Sequence, residues 1–460
     1  MADDCASRRR FLRRSAVLVG GASFMSSGMK AVAAAGPVPT WSHSTPSTLV
    51  VDSHVKLSFG EEKHVLPDGL QPSMLCTRKG TLIVQAQNSQ KAGPHNRMFY
   101  PYALSTVVSR DAGETWKAMD TPASDNVNLE GGIFQLKDGT ILALDTYVVP
   151  ADKPDMGTGM LYTSKDEYRT LQGPVDVHFH IPNVDFFGST DDGGRPYGAA
   201  RLHRRILEMP NGDLLTLMYG LLKGDTTPCP YQPKMKKSRV MLCRSQDKGM
   251  NWSFVSTAAV DPSVGTEGFG EPAFVRVSQG KHAGRLVCLM RTGQQLYQCS
   301  SDDGGLTWSK PLPREFAGRD VFKTSEWAAM FKDIKRGGKP LADDPPEFNG
   351  SVVDPDVIEV HGGVLVATFG VRIPAHACFA HPEHPWNGNY LACSLDGGDT
   401  WSHIVQLTSG TPTTHYTALE KMPGSGEFFV VCDYGYWRSE PNKGRYVYGR
   451  KITLDLPHGL

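Results

Sequence analysis

Six polar residues each stand nine places before a glycine that closes a short apolar run. They are Gln71 before Gly80, Glu130 before Gly139, His203 before Gly212, Glu271 before Gly280, Asp354 before Gly363 and His415 before Gly424. Tyr416 follows the last of them. Carboxylates and imidazoles act as general acids or bases, and a phenol beside a carboxylate gains a base for its own proton. Arg291 and Arg372 end the apolar runs that follow Glu271 and Asp354, where a guanidinium is suited to an anionic or polyhydroxyl ligand. His95 and Arg97 occupy a loop after the first run. No CxxC pair and no Cys/His cluster at zinc spacing is present, so neither a metal nor a cofactor is expected.

Elements that would position these residues repeat along the chain. Apolar runs turning at a glycine into a second run occur at 71–87, 130–146, 203–219, 271–291, 354–371 and 416–434, their starts 59, 73, 68, 83 and 62 residues apart. Their period-2 alternation, as in Ile133-Phe-Gln-Leu-Lys-Asp-Gly139-Thr-Ile-Leu-Ala-Leu, predicts β-hairpins. The 48 glycines and 32 prolines suit many short strands joined by turns. An octapeptide also recurs: Ser109 to Trp116, Ser245 to Trp252, Ser301 to Trp308 and Ser394 to Trp401, all of the form S-x-D-x-G-x-[TN]-W, with a worn copy from Ser164 to Leu171. The Asp accepts bonds from nearby backbone N–H groups, the Gly permits positive φ, and Trp anchors the next strand.

These octapeptides resemble the Asp boxes of the sialidase (neuraminidase) superfamily. The resemblance implies an all-β, six-bladed β-propeller over about residues 45–456. In it each hairpin forms the two inner strands of a blade, the boxes hold blades together, and Leu49–Phe59 closes the ring against the C-terminal strand. Six polar residues would then converge on one mouth of the central channel. Gly270-Glu271-Pro272 with Arg291 is similar to the stretch that carries the family's Glu and one carboxylate-binding arginine. His415-Tyr416-Thr417 is similar to the stretch with its nucleophilic Tyr. The sequence departs from the family at other positions. Gln71 stands where the first arginine is usual, Trp386-Asn-Gly-Asn-Tyr390 lacks the third, and no Asp or Glu lies between Leu82 and Val108 to serve as the acid.

The resemblance implies an exo-glycoside hydrolase acting on terminal sugars of a glycan, acidic ones included. Glu271 and Tyr416 would form the nucleophilic pair and Glu130, His203 or His95 would donate the proton; Arg291, Arg372, Gln71, His415 and Arg97 are the substrate-binding candidates. Three alternatives stand beside it. Two carboxylates from Glu130, Glu271 and Asp354 could act directly; a His/Tyr pair could serve a uronate lyase; or the propeller could bind carbohydrate without catalysis. Long connections near 176–200, 221–238 and 314–350 are expected to be loop insertions, with a short helix from Ser325.

Residues 1–35 read as an export signal. Ser7-Arg8-Arg9-Arg10-Phe11-Leu12-Arg13 resembles the twin-arginine signature, an apolar stretch follows, and Ala33-Ala34-Ala35 offers a cleavage site. A periplasmic or secreted protein is expected, with residues 36–460 as one propeller. The 48 basic residues balance 48 acidic ones; without the leader's six basic and two acidic residues the counts become 42 and 46, a net of −4. Such a balance excludes a protein that binds nucleic acid through basic surplus, and no segment has the length and apolarity of a membrane span. Cys5 leaves with the leader, the other eight cysteines need no disulfide framework, and one Cys229–Cys378 pairing stays open. The sequence does not fix an oligomeric state.

Overall fold

A computed structural model describes residues 45–456 except 93–101, 120–125, 190–196, 231, 315–334, 337–338, 341–349, 374, 376–377, 379–381, 383 and 436–443. The leader, His95, Arg97 and the expected helix at Ser325 lie outside the described residues.

Among the described residues the chain is all strand, with no helix long and apolar enough to cross a membrane. The strands form antiparallel meanders in a propeller-like arrangement. Leu70–Cys76, Leu82–Ala92, Tyr102–Ser109 and Lys117–Ala118 make the first. Ile133–Gln135, Ile141–Leu144, Met156–Ser164 and Gln172–His180 follow, then Ala200–Glu208, Leu214–Leu222, Arg239–Ser245 and Asn251–Ala259. Further meanders begin with Gly270–Arg276, Ser351–His361 and Thr417–Lys421. Successive first strands pack on one another, and Thr417–Lys421 packs back on Leu70–Cys76. Apolar clusters fill the spaces between neighbours: Val84 and Val107 of the first meander share one with Val431 and Val447 of the last. Burial of these Val, Leu and Ile faces on both sides of each sheet is the main force holding the sheets together.

The N-terminal segment divides its pairing. Lys56–Phe59 runs antiparallel to the C-terminal strand, Leu57 opposite Leu454, while Ser47–Val50 adds to His403–Gln406. Only half of the expected closing strand therefore lies where the repeat count puts it. The start of 176–200 is not loop either, because residues 176–180 belong to Gln172–His180, the outer strand of its meander, which runs parallel to Asn251–Ala259 of the next.

Each octapeptide folds as a turn at the end of a third strand. Ser109 Oγ donates to Asp111 Oδ1 at 2.7 Å, the Gly113 and Thr115 N–H groups donate to Ser109 Oγ and Asp111 Oδ1 at 2.9 Å, and Trp116 Nε1 donates to the Gly113 carbonyl at 3.1 Å. The same bonds recur from Ser245 to Trp252. Gly113, Gly249, Gly305 and Gly398 have φ of 94°, 91°, 90° and 92°, and Tyr168 takes this place in the worn copy at 62°. The donors, led by the Thr115 hydroxyl, hold the Asp111 carboxyl down at about 2. The Trp side chains tie a meander to its predecessor. Trp252 stacks on Phe179, 5.9 Å apart and 5° from parallel, and Trp401 Nε1 donates to Gln298 Oε1 at 3.0 Å. All eight cysteines after the leader are free thiols, so Cys229 and Cys378 are not paired with each other.

Candidate active site

Four first strands begin with an irregularity, and Gln71, His203, Glu271 and Asp354 sit in it, while Glu130 and His415 stand just before theirs. Pairing slips between Leu70 and Ser73, Leu202 and Ile206, Gly270 and Ala273, and Val353 and Asp356. Gln71, Glu271 and Asp354, each followed by Pro, have φ of 53°, 40° and 48°, and His415 has 64°. Left-handed backbone is costly for a residue with a Cβ and persists only where surroundings enforce it. Such bulges turn side chains away from the sheet face, here toward the ring axis. At Gln71, His203, Glu271 and Asp354 the nine-residue register in the sequence is thus the register of these bulges.

Glu271, Tyr416 and Arg291 converge. The Tyr416 hydroxyl donates to Glu271 Oε1 in a short bond, and Arg291 Nη1 donates to the same oxygen at 2.8 Å and to the Tyr416 oxygen at 3.4 Å. Glu271 Oε2 accepts the Asp354 N–H at 2.9 Å, so both carboxylate oxygens are engaged. Arg291 is held further by Glu267, with Nη2 donating to Oε1 at 3.1 Å and Nε 3.0 Å from Oε2. Glu271, Tyr416 and Arg291 are all buried.

Glu130, His203 and Asp354 form a second group. His203 Nδ1 is 3.3 Å from the Pro272 carbonyl, which can only accept, so Nδ1 carries a proton. Nε2 faces Asp354 Oδ1 at 3.2 Å and Glu130 Oε1 at 3.9 Å. Glu130 Oε1 and His203 Nε2 are buried with no hydrogen-bond partner among the described residues. Glu130 Oε2 accepts from Arg201 Nη2 at 3.3 Å, and the Arg201 guanidinium lies over the rings of Tyr147 and Tyr219 at 5.4 and 5.2 Å. Candidate ligand atoms of Glu130, His203 and Asp354 lie within 4.8 Å of one another, a spacing that could hold a cation. Both carboxylates already carry a guanidinium, so a dication would add uncompensated charge in a buried place.

Asp354 is fully buried and serves as a junction. Arg204 Nη2 donates to its two oxygens at 2.7 and 2.8 Å and to the carbonyls of Pro72 and Thr417 at 3.2 and 2.6 Å; the Thr417 N–H donates to Asp354 Oδ2 at 2.7 Å. Arg205, alongside, reaches Glu420, Asp356 and the Val357 carbonyl. These two arginines cross the ring from one first strand to three others. Burial, opposed by Arg205, raises the Glu420 carboxyl to about 7.

The remaining candidates surround Tyr416. Arg372 lies over its ring at 5.4 Å while Nε and Nη2 donate to the Thr414 carbonyl at 3.0 and 2.7 Å. His415 is buried with Nδ1 3.8 Å from Cys378 Sγ; burial and then the Arg372 charge push its imidazole well below the usual range. Gln71 accepts a bond from Gln87 and its N–H donates to Asp433 Oδ2 at 2.8 Å. Asp433, raised by burial, also takes Thr413 and Thr414, and Thr413 Oγ1 accepts the His415 N–H at 2.8 Å. Sequence reasoning passed over Arg201, Arg204, Arg205 and Glu267. Three arginines within the largely buried strand Ala200–Glu208, beside His203, were the available signal, since charges are not buried unpaired.

No protein-family model matches the chain, and no curated protein matches it. Solved structures do. A protein of unknown function from Dyadobacter fermentans aligns with TM-score 0.56 and 17% identity, covering 88% of this chain and 100% of that one. The fold the two share is an all-β, propeller-like one. A variant of the NanB sialidase from Streptococcus pneumoniae aligns at TM-score 0.50 and 11% identity over 86% of this chain and 70% of that one. The alpha-L-arabinofuranosidase of Fusarium graminearum, with an iminosugar inhibitor, gives 0.50 and 13% over 85% and 97%. At these identities the likeness of the propeller is one of fold.

Proposed function

We propose that this chain is an exported, six-bladed propeller glycoside hydrolase that removes terminal sugars from a glycan. The observation that carries the reading is the bond from the Tyr416 hydroxyl to Glu271 at the axial end of the first strands. Glu271 has both oxygens engaged by protein donors, which favours the phenol oxygen over the carboxylate as the attacking atom. Fold likeness to a sialidase and an arabinofuranosidase supports a glycan as substrate.

The mechanism follows from the bonds. Tyr416 oxygen attacks the anomeric carbon as its proton passes to Glu271 Oε1, while Glu130 gives a proton to the leaving oxygen and the glycosidic bond breaks. Glu130 suits this part because its Oε1 is buried and without a partner among the described residues, an arrangement that a proton and an incoming oxygen would complete. Water, deprotonated by the Glu130 carboxylate, then attacks the glycosyl–tyrosine, and the phenolate recovers its proton from Glu271. Two displacements retain configuration. Asp354 positions Glu271 through its N–H, and its carboxylate is occupied by Arg204 and Thr417.

Screening against fluorogenic aryl glycosides tests the proposal. Tyr416→Phe, Glu271→Gln and Glu130→Gln are each expected to lower kcat by at least about 100-fold with wild-type folding. Full activity in all three variants would mean that the axial group is not the active site.

A further inference from the structure

Arg291 is held between two acids of its own chain, Glu267 and Glu271. Arginine takes a carboxylate along one edge of the guanidinium, and here the Nε–Nη2 edge of Arg291 already faces Glu267, with a hydrogen bond from Nη2 to Oε1 at 3.1 Å and an ion-pair contact of Nε with Oε2 at 3.0 Å. Its third nitrogen bonds Glu271. The other described arginines of the site also have partners within the chain. Nε and Nη2 of Arg372 both point at the Thr414 carbonyl, Arg201 pairs with Glu130, and Arg204 spans Asp354.

Glu267 is fixed in place. Its N–H donates to the Thr292 carbonyl at 3.2 Å, next to Arg291, and its carbonyl accepts the Ser238 N–H and hydroxyl at 2.9 and 3.2 Å. Gly265 and Gly268 flank it at φ of 58° and 74°, and a Cβ on Gly268 would fall 2.4 Å from the Ser238 carbonyl oxygen. The segment is shaped to press one carboxylate against one guanidinium.

We propose that Glu267 stands where a substrate carboxylate would otherwise bind, and that the sugar taken by this site is neutral, with no carboxylate on its anomeric carbon. A ligand carboxylate could reach Arg291 only by displacing Glu267 and leaving it buried without its partner, which cancels the attraction. The inference rests on the glycosidase reading and narrows it. The nucleophile is unaffected, because Tyr416 is chosen by the engagement of Glu271 and not by substrate charge.

Binding of a matched pair separates this inference from the hydrolase reading. The full chain is titrated calorimetrically with 2,3-didehydro-N-acetylneuraminic acid and with its uncharged methyl ester. Wild type is expected to show no preference for the acid, and Glu267→Gln, which removes the internal anion, is expected to gain roughly a tenfold preference for it. A wild-type preference of tenfold or more for the acid overturns the inference, as does wild-type hydrolysis of an aryl sialoside. Should Glu267→Gln fail to fold, the wild-type comparison decides alone. Failure to cleave any aryl glycoside, neutral or acidic, counts against the hydrolase reading, and the matched pair still reports on the clamp.

Discussion

Replacing Arg204 by Met removes the cation whose Nη2, with two hydrogens, is shared among four acceptors across the ring. Its Nη2 lies 2.7 and 2.8 Å from the Asp354 oxygens and 3.2 and 2.6 Å from the Pro72 and Thr417 carbonyls. Asp354 has no exposed surface, so its charge would remain buried with only the Thr417 N–H and the His203 ring beside it. Breaking a buried pair by deleting one partner costs about 3–5 kcal/mol, a large part of the roughly 5–15 kcal/mol that holds a folded protein together. Methionine fills much of the volume, so the loss is electrostatic. Arg204→Met with Asp354→Asn should recover much of it, and the double-mutant cycle should give a coupling of about 2–3 kcal/mol. Denaturant midpoints at pH 8 and pH 5 provide the assay. Without its guanidinium Asp354 would bind a proton more readily in the fold than in the unfolded chain, so the stability gap to wild type should narrow as pH falls. A single-variant loss below about 1 kcal/mol, or additive single and double variants, would refute the idea that Arg204 and Asp354 form one buried unit.

Other expectations concern the turns and the buried acids. Trp252→Ala empties the space against Phe179 between two meanders and should cost about 3–5 kcal/mol by denaturant unfolding, with Trp252→Phe losing less. Burial lifts the Asp145 carboxyl from its usual value near 4 to about 7, against the Asn128 and Tyr147 N–H donors. An acid with a raised folded pKa stabilises fully below its unfolded value and loses that contribution as pH rises to 7, on the order of 4 kcal/mol at most. Asp145→Asn should therefore flatten the fall in stability between pH 4 and pH 7 measured by thermal unfolding. Asp111 and Asp303 work the other way. Held at about 2 by Thr115 and Thr307 donors, their contribution is present above pH 4 and fades as pH falls toward 2, so Asp111→Asn should reduce sensitivity to acid.

Repetition made the fold legible. Four octapeptides and six hairpins gave a strand count, and strand ends fell on Ser109, Ser164, Ser245, Ser301 and Ser394 as the repeats require. Glu271, Tyr416 and Arg291 could be paired because each begins or ends a strand at the same level of the ring. The last hairpin was harder. Its positive-φ glycine is Gly426 and not Gly424; nine places before these two stand Thr417 and His415, so the count brackets the phenol without landing on it. Long-range pairings were not legible at all. Arg204 with Asp354 and Arg291 with Glu267 depend on how far a guanidinium reaches across the axis or back over a loop, and no spacing in sequence encodes that reach. Cys378 near His415 and Arg201 between two tyrosines belong to the same class.

Attack of the Tyr416 oxygen on the sugar, with Glu271 as its base, would leave a covalent glycosyl–tyrosine. Incubation with a 2-deoxy-2-fluoro glycosyl fluoride of the sugar that proves to be a substrate, followed by peptide mass mapping, tests it most directly. A fluoroglycosyl adduct is expected on Tyr416 and is expected to be absent in Tyr416→Phe. An adduct on Glu271 or Glu130, or turnover with inverted configuration and no adduct, would contradict it.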